Sequence, residues 1–144
     1  MTKKNLLLLL LTLGLAMAYA IWFTDWFRPK VVKIAHTNRN LHRNRARGHA
    51  LPNLIFHLNP QIRCTDLKVV PLAAYESNKS AVAAWHLVSD SNSVPVKSFF
   101  YGQDIGGMRP TIKGVIAEEL ETNVTYRLFI TDGHRKGQHD FELD

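Results

Sequence analysis

Between Leu6 and Phe23 the chain reads LLLLLLTLGLAMAYAIWF, eighteen residues without a charge, diluted only by Thr12 and Gly14. A helix of that length is close to the shortest that crosses about 30 Å of hydrocarbon. Such a segment must enter lipid, be cut away, or be surrounded by protein. In a chain of 144 residues little protein is left to surround it. The features of a cleaved signal are present: a basic start at Lys3-Lys4, an apolar run from Leu6 to Leu15, and Ala16-Met17-Ala18 and Ala18-Tyr19-Ala20 as A-x-A sites. Against cleavage, apolarity continues through Ile21, Trp22 and Phe23, and Trp26-Phe27 follow at once. Aromatic residues gathered at one end of an apolar run suit the membrane–water boundary. A cut near Ala18 or Ala20 would release a secreted domain with an apolar tip needing cover. The sequence therefore predicts an uncleaved signal anchor over residues 1–27. Trp22, Phe23, Trp26 and Phe27 are expected at the membrane interface, and lipid is the expected partner of residues 6–27. The rest of the chain is expected outside the cytoplasm, in a periplasm or at a cell surface. No cysteine near the segment offers a lipoprotein anchor.

The net charge of +6 is unevenly placed. Residues 28–50 hold seven cations (Arg28, Lys30, Lys33, Arg39, Arg43, Arg45, Arg47) and no acid, whereas residues 51–144 hold nine cations and eleven acids. The chain thus divides into an anchor (1–27), a basic juxtamembrane linker with a short strand at Val31–His36 (28–50), and a slightly acidic domain (51–144). Cys64 is the only cysteine, so no disulfide can form within the chain. For an exported protein this points to a bacterial envelope more than to a disulfide-stapled secreted module.

From Leu51 onward the apolar period is two. Leu54, Phe56 and Leu58 alternate up to Asn59-Pro60, where turn chemistry is expected to end the strand. Further strands are expected over Thr65–Leu72, Ala81–Val88, Val96–Tyr101, Thr111–Ala117, Val124–Thr131 and Gln138–Leu143, with Pro71 at an edge or bulge. No helical period appears outside the leader. Seven short strands separated by turns predict an all-β fold, an antiparallel β-sandwich following an N-terminal transmembrane helix.

The stretch Leu120-Glu-Thr-Asn-Val-Thr-Tyr126 has the leucine and tyrosine spacing of a tyrosine corner. With Trp85 flanked by alternating apolar residues, it resembles fibronectin type III and immunoglobulin-like sandwiches over residues 52–143. The resemblance implies that Tyr126 bonds back to the backbone near its turn and that Trp85 is a core tryptophan. The immunoglobulin cysteine pair is absent. An anchor followed by one sandwich is also the layout of many single-domain bacterial envelope proteins, a likeness that carries no activity.

Three features are candidates for chemistry. Arg39, Arg43, Arg45 and Arg47 could hold anionic lipid, an acidic polymer or an acidic protein face. The loop Gly102–Pro110, with Gln103, Asp104 and Arg109 among its glycines, is the best candidate for contact with a partner, and it lacks the G-K-[ST] ending of a phosphate loop. The histidines lack a third convincing ligand, even at His134 and His139 beside Asp140, so neither a metal nor a cofactor is expected. No serine lies in G-x-S-x-G, and no nucleic-acid partner is expected for an exported chain. The expectation is a non-catalytic binding or structural module of the envelope, contacting an envelope protein or an anionic surface. Two alternatives stand beside it. One is a small hydrolase of envelope polymers, which would need a deep pocket lined by two or more of His57, His86, His134, His139 and Asp140. The other is an electrostatic binder of anionic lipid through the arginines.

Overall fold

The computed structural model describes residues 2–23, 31–38, 52–90 and 92–143. Helix α1, Lys3–Phe23, has 21 residues and no buried side chain. At 1.5 Å per residue it is about 31 Å long, the thickness of a bilayer's hydrocarbon. The Thr12 hydroxyl donates within the helix to Leu8 O at 3.1 Å or Leu9 O at 3.0 Å. The hydroxyl in mid-helix is thus satisfied internally, as an apolar surrounding requires. Trp22 and Phe23 form the last turn, 84% and 77% exposed. Trp26 and Phe27 lie outside the described residues.

The remainder forms two antiparallel sheets packed as a β-sandwich. The strands are β1 (Lys33–Asn38), β2 (Leu54–Ile62), β3 (Asp66–Pro71), β4 (Trp85–Val88), β5 (Val96–Phe100), β6 (Arg109–Pro110), β7 (Thr125–Thr131) and β8 (Lys136–Glu142). One sheet has the order β1-β2-β5, the other β6-β4-β3-β7-β8. Alternation places Leu54, Phe56 and Leu58 of β2 and Tyr126, Leu128 and Ile130 of β7 in the core between them. An aromatic chain bridges the sheets. Trp85 meets Phe99 at 6.0 Å, Phe99 meets Phe56 at 5.4 Å, Phe56 meets Phe141 at 5.0 Å, and Phe141 stacks on Tyr126 at 5.9 Å. Such pairs add to burial about 0.5–1.5 kcal/mol each.

Four expectations are corrected. Asn59-Pro60 does not end its strand; β2 continues through a cis peptide there to Ile62, with an irregular register against β5 between His57 and Ile62. A helix, α2 (Leu72–Ser77), follows Pro71 directly. Proline ends the ladder because it has no N–H and its φ is already helical, and Leu-Ala-Ala continues the turn. Helix α2 lies over β3 and β7, Tyr75 against Phe129 at 5.0 Å, which explains why Val70 is buried outside the central core. Residues 81–84 are irregular, so the expected strand Ala81–Val88 shortens to β4. Finally, Thr111–Ala117 is not a strand. Thr111 N–H donates to His86 O and Glu118 N–H to Ala84 O, and the residues between arch away from the edge of β4 around Gly114, whose φ is 82°. The strand on that edge is instead Arg109–Pro110, from the loop before it.

Strand β1, read in sequence as part of a linker, is hydrogen-bonded along β2 from Lys33↔Asn59 to Asn38↔Leu54. Its start also meets the other sheet: Val31 bridges Lys136 in parallel, and Val32 N–H donates to Lys136 O at 3.1 Å. Gly137 permits the approach, since a Cβ there would lie 2.9 Å from Val32 O. One edge of the sandwich is thus a seam joining β1 to β8.

Candidate functional site

The four arginines expected to hold an anionic partner, Arg39, Arg43, Arg45 and Arg47, lie outside the described residues, but both roots of their segment are placed. It leaves β1 at Asn38 and re-enters β2 at Leu54, and these two residues are register partners. The anchor side of the sandwich is at Val31 and Lys33. Five residue steps of β1, about 17 Å, separate Lys33 from the root at Asn38. The segment bearing the arginines is thus rooted at the end of β1 opposite to the one that follows the helix.

The loop after β5 is held at several points. Phe100 N–H donates to Gln103 Oε1 at 2.9 Å, Ile105 is buried, Gly106 O accepts from Val94 N–H at 2.9 Å, and Met108 N–H donates to Ile105 O. Arg109 Nη2 is 3.2 Å from Asp90 Oδ2 on the surface. Of the three polar residues singled out in sequence, Gln103 and Arg109 have partners within the chain, though both are exposed. Asp104 is exposed. The loop is a preformed surface, and such surfaces bind without an ordering cost.

The histidines are dispersed. His57 is exposed opposite Ala35 of β1. His86 Nε2 is 3.1 Å from Asp66 Oδ1. β4 and β8 are three strand spacings apart, so about 14 Å separates His86 from His139. His134 lies in the turn between β7 and β8, where its N–H donates to Asp132 Oδ1. Asp140 faces the solvent-side guanidinium of Arg127, which donates to it through Nε at 2.5 Å and Nη2 at 2.7 Å. This fork holds the Asp140 carboxyl below its usual range, chiefly through the hydrogen bond. Of the five residues named for a hydrolase, His139 and Asp140 are neighbours on β8, while His57, His86 and His134 lie on β2, β4 and the β7–β8 turn.

The structure brings together a pair that sequence reasoning missed. His36 Nδ1 and His139 Nε2 are 2.7 Å apart, and Phe141 lies beside His36 with ring centroids at 6.0 Å. The two residues are 103 positions apart and meet only because the seam joins β1 to β8. No local motif announces this contact. No metal-ligating group of three or more His, Cys, Asp or Glu occurs among the described residues.

Trp85 and Tyr126 are both buried. Tyr126 Oη accepts from Glu121 N–H at 3.0 Å, the backbone contact that the tyrosine-corner spacing implies. A second tyrosine does similar work unannounced: Tyr101 Oη donates to Glu118 O at 2.8 Å, with Ala84 O at 3.4 Å. It ties the arch at 111–118 to the core, and burial raises its pKa well above the usual phenol range.

Compared with known proteins, the chain matches no family model, no curated protein and no solved structure.

Proposed function

We propose that this chain is a single-pass membrane protein of a cell envelope whose sandwich stands outside the cytoplasm and works by binding rather than catalysis. The observation carrying the proposal is the complete exposure of α1. A 21-residue helix without a charge beyond Lys4 and with no protein packed on it is long and apolar enough to cross a membrane. The sandwich then supplies two candidate surfaces for a protein or anionic polymer: the pinned loop Gly102–Pro110 and the segment bearing Arg39, Arg43, Arg45 and Arg47, rooted at Asn38 and Leu54.

The finer fold reading favours the fibronectin type III side of the resemblance. The fourth strand stays with the third, whereas immunoglobulin constant domains pair it with the sheet of the first, second and fifth. The Tyr126 contact at the entry to β7 fits both branches of the resemblance. The sandwich class carries no function of its own.

The test is fractionation of cells expressing the full chain. Retention in membranes after alkaline wash, an intact N-terminus at Met1 or Thr2, and digestion of residues 31–144 by protease added from outside the cytoplasmic membrane are the expected results. A soluble product beginning after Ala18 or Ala20 would replace the anchor with a cleaved signal. Crosslinking through the loop and the arginine segment, followed by mass spectrometry, would then test binding. Crosslinks to an envelope component that vanish when those residues are replaced are expected.

A further inference from the structure

We propose that the end of the sandwich where β1 begins is a lipid-facing surface, laying Lys33, Arg135 and Lys136 against anionic headgroups. The inference rests on the anchor reading and adds an orientation to it. Only seven residues separate Phe23, the last of α1, from Val31, the first residue bridged to β8. Fully extended, those eight peptide steps span at most about 28 Å. The Val31 end of the sandwich is therefore tied within that distance of the hydrocarbon.

The composition of the tied end suits a negative surface. Lys33 opens β1 and Lys136 opens β8, brought together by the bridge between Val31 and Lys136. Arg135 precedes Lys136 in the turn, and Arg63 lies in the crossing from β2 to β3 at the same end. All four are exposed, and Val31 beside them is an exposed apolar side chain at 62%. Three acids of this end have partners within the fold. Asp132 accepts from the N–H groups of His134 and Arg135 at 3.0 and 2.6 Å, with its other oxygen 3.7 Å from Arg135 Nε. Asp90 faces Arg109, and Asp66 faces His86. Asp104 lies on the loop beyond β5, two strands across from β1 in that sheet. With Asp132 set against Arg135, Lys33 and Lys136 leave the β1/β8 corner positive. Cations near an anionic leaflet are attracted within about a Debye length.

The test uses the full chain in lipid nanodiscs, one set of phosphatidylcholine alone and one with phosphatidylglycerol added. Lysines are acetylated briefly and quantified by mass spectrometry. Lys33 and Lys136 should label severalfold more slowly in the anionic discs, while Lys79 and Lys113, away from this end, label alike in both. High salt should abolish the difference. Replacing Arg39, Arg43, Arg45 and Arg47 by glutamine should leave it intact, and Arg135→Gln with Lys136→Gln should reduce the protection at Lys33. Equal labelling of Lys33 in the two discs overturns the orientation, and so does equal slowing at all four lysines, which would mean accumulation without a preferred face. A chain that does not stay with the discs at all overturns the anchor reading and this inference with it.

Discussion

His36 of β1 and His139 of β8 meet nitrogen to nitrogen at 2.7 Å across the seam where the two sheets join. One ring must donate and the other accept, so the contact suits a neutral pair or a single shared proton and opposes two cations. Protonation of His139 is disfavoured first by burial and then by His36, with Asp140 opposing in part. Its pKa therefore lies below the 6.5 of an exposed histidine. The unfolded chain then binds more protons than the folded one as pH falls through that value, and stability falls with it. The urea midpoint is expected to be constant above about pH 7 and to decline toward about pH 5. His139→Gln should flatten that decline while costing about 1 kcal/mol at the upper pH, the scale of one partly buried hydrogen bond. A wild-type midpoint unchanged over the same range would show that the pair carries no coupling to folding.

Cys64 is fully buried, and its carbonyl accepts from the buried Ser93 hydroxyl at 2.6 Å. Burial first, and the charge of Asp132 second, push its thiol up to about 11. At neutral pH roughly one thiol in ten thousand is then ionised, and only the thiolate reacts readily. A disulfide reagent should leave native protein unmodified over the time in which it labels urea-unfolded protein to one equivalent. Rapid labelling of the native form would show that the site opens locally.

The sequence is most readable where one face is buried and the other wet. Tyr126, Leu128 and Ile130 alternate with exposed or half-buried neighbours, and Trp85 and Leu87 do the same, so β7 and β4 follow from period two. It misleads where a local device overrides that period. Ile112-Lys-Gly-Val-Ile116 has strand-like composition, yet Val115 N–H donates back to Ile112 O in a turn at Gly114, leaving Ile112, Val115 and Ile116 exposed. The six residues of α2 are too few to display a helical period. What no one-dimensional pattern carries is the pairing of distant strands. It decides that His36 meets His139 and that the arginines are rooted at the end of β1 opposite to the one that follows the helix.

Tyr126 offers a direct test of the tyrosine-corner geometry. Its hydroxyl accepts from Glu121 N–H at 3.0 Å while its ring stacks on Phe141 in the core. Tyr126→Phe keeps the ring and removes the acceptor, so the expected cost is about 1 kcal/mol with an unchanged dependence on denaturant. Tyr126→Ala also removes the stacked ring and should cost about 3–5 kcal/mol. A phenylalanine variant equal to wild type would mean that water replaces the hydroxyl and that the corner is held by packing alone.

The glycine-rich loop is predicted to be rigid, and two of its neighbourhood's glycines separate the causes. Gly107 has φ 79°, and a Cβ there would lie 2.1 Å from Asn92 O and 2.8 Å from the Ser93 Cα. Those are backbone atoms, and Ser93 is fixed by its bond to Cys64, so no side-chain rotation relieves the clash. Gly114 has nearly the same φ, 82°, but nothing within 4 Å of its missing Cβ. Gly114→Ala should therefore register only the left-handed backbone, about 1–2 kcal/mol. Gly107→Ala should add displacement of the loop and cost roughly twice as much, within the range of severe single substitutions. Urea titration of both variants measures the difference. Equal costs would show that residues 92–93 yield to the loop, and its preformed surface would then lose its physical basis.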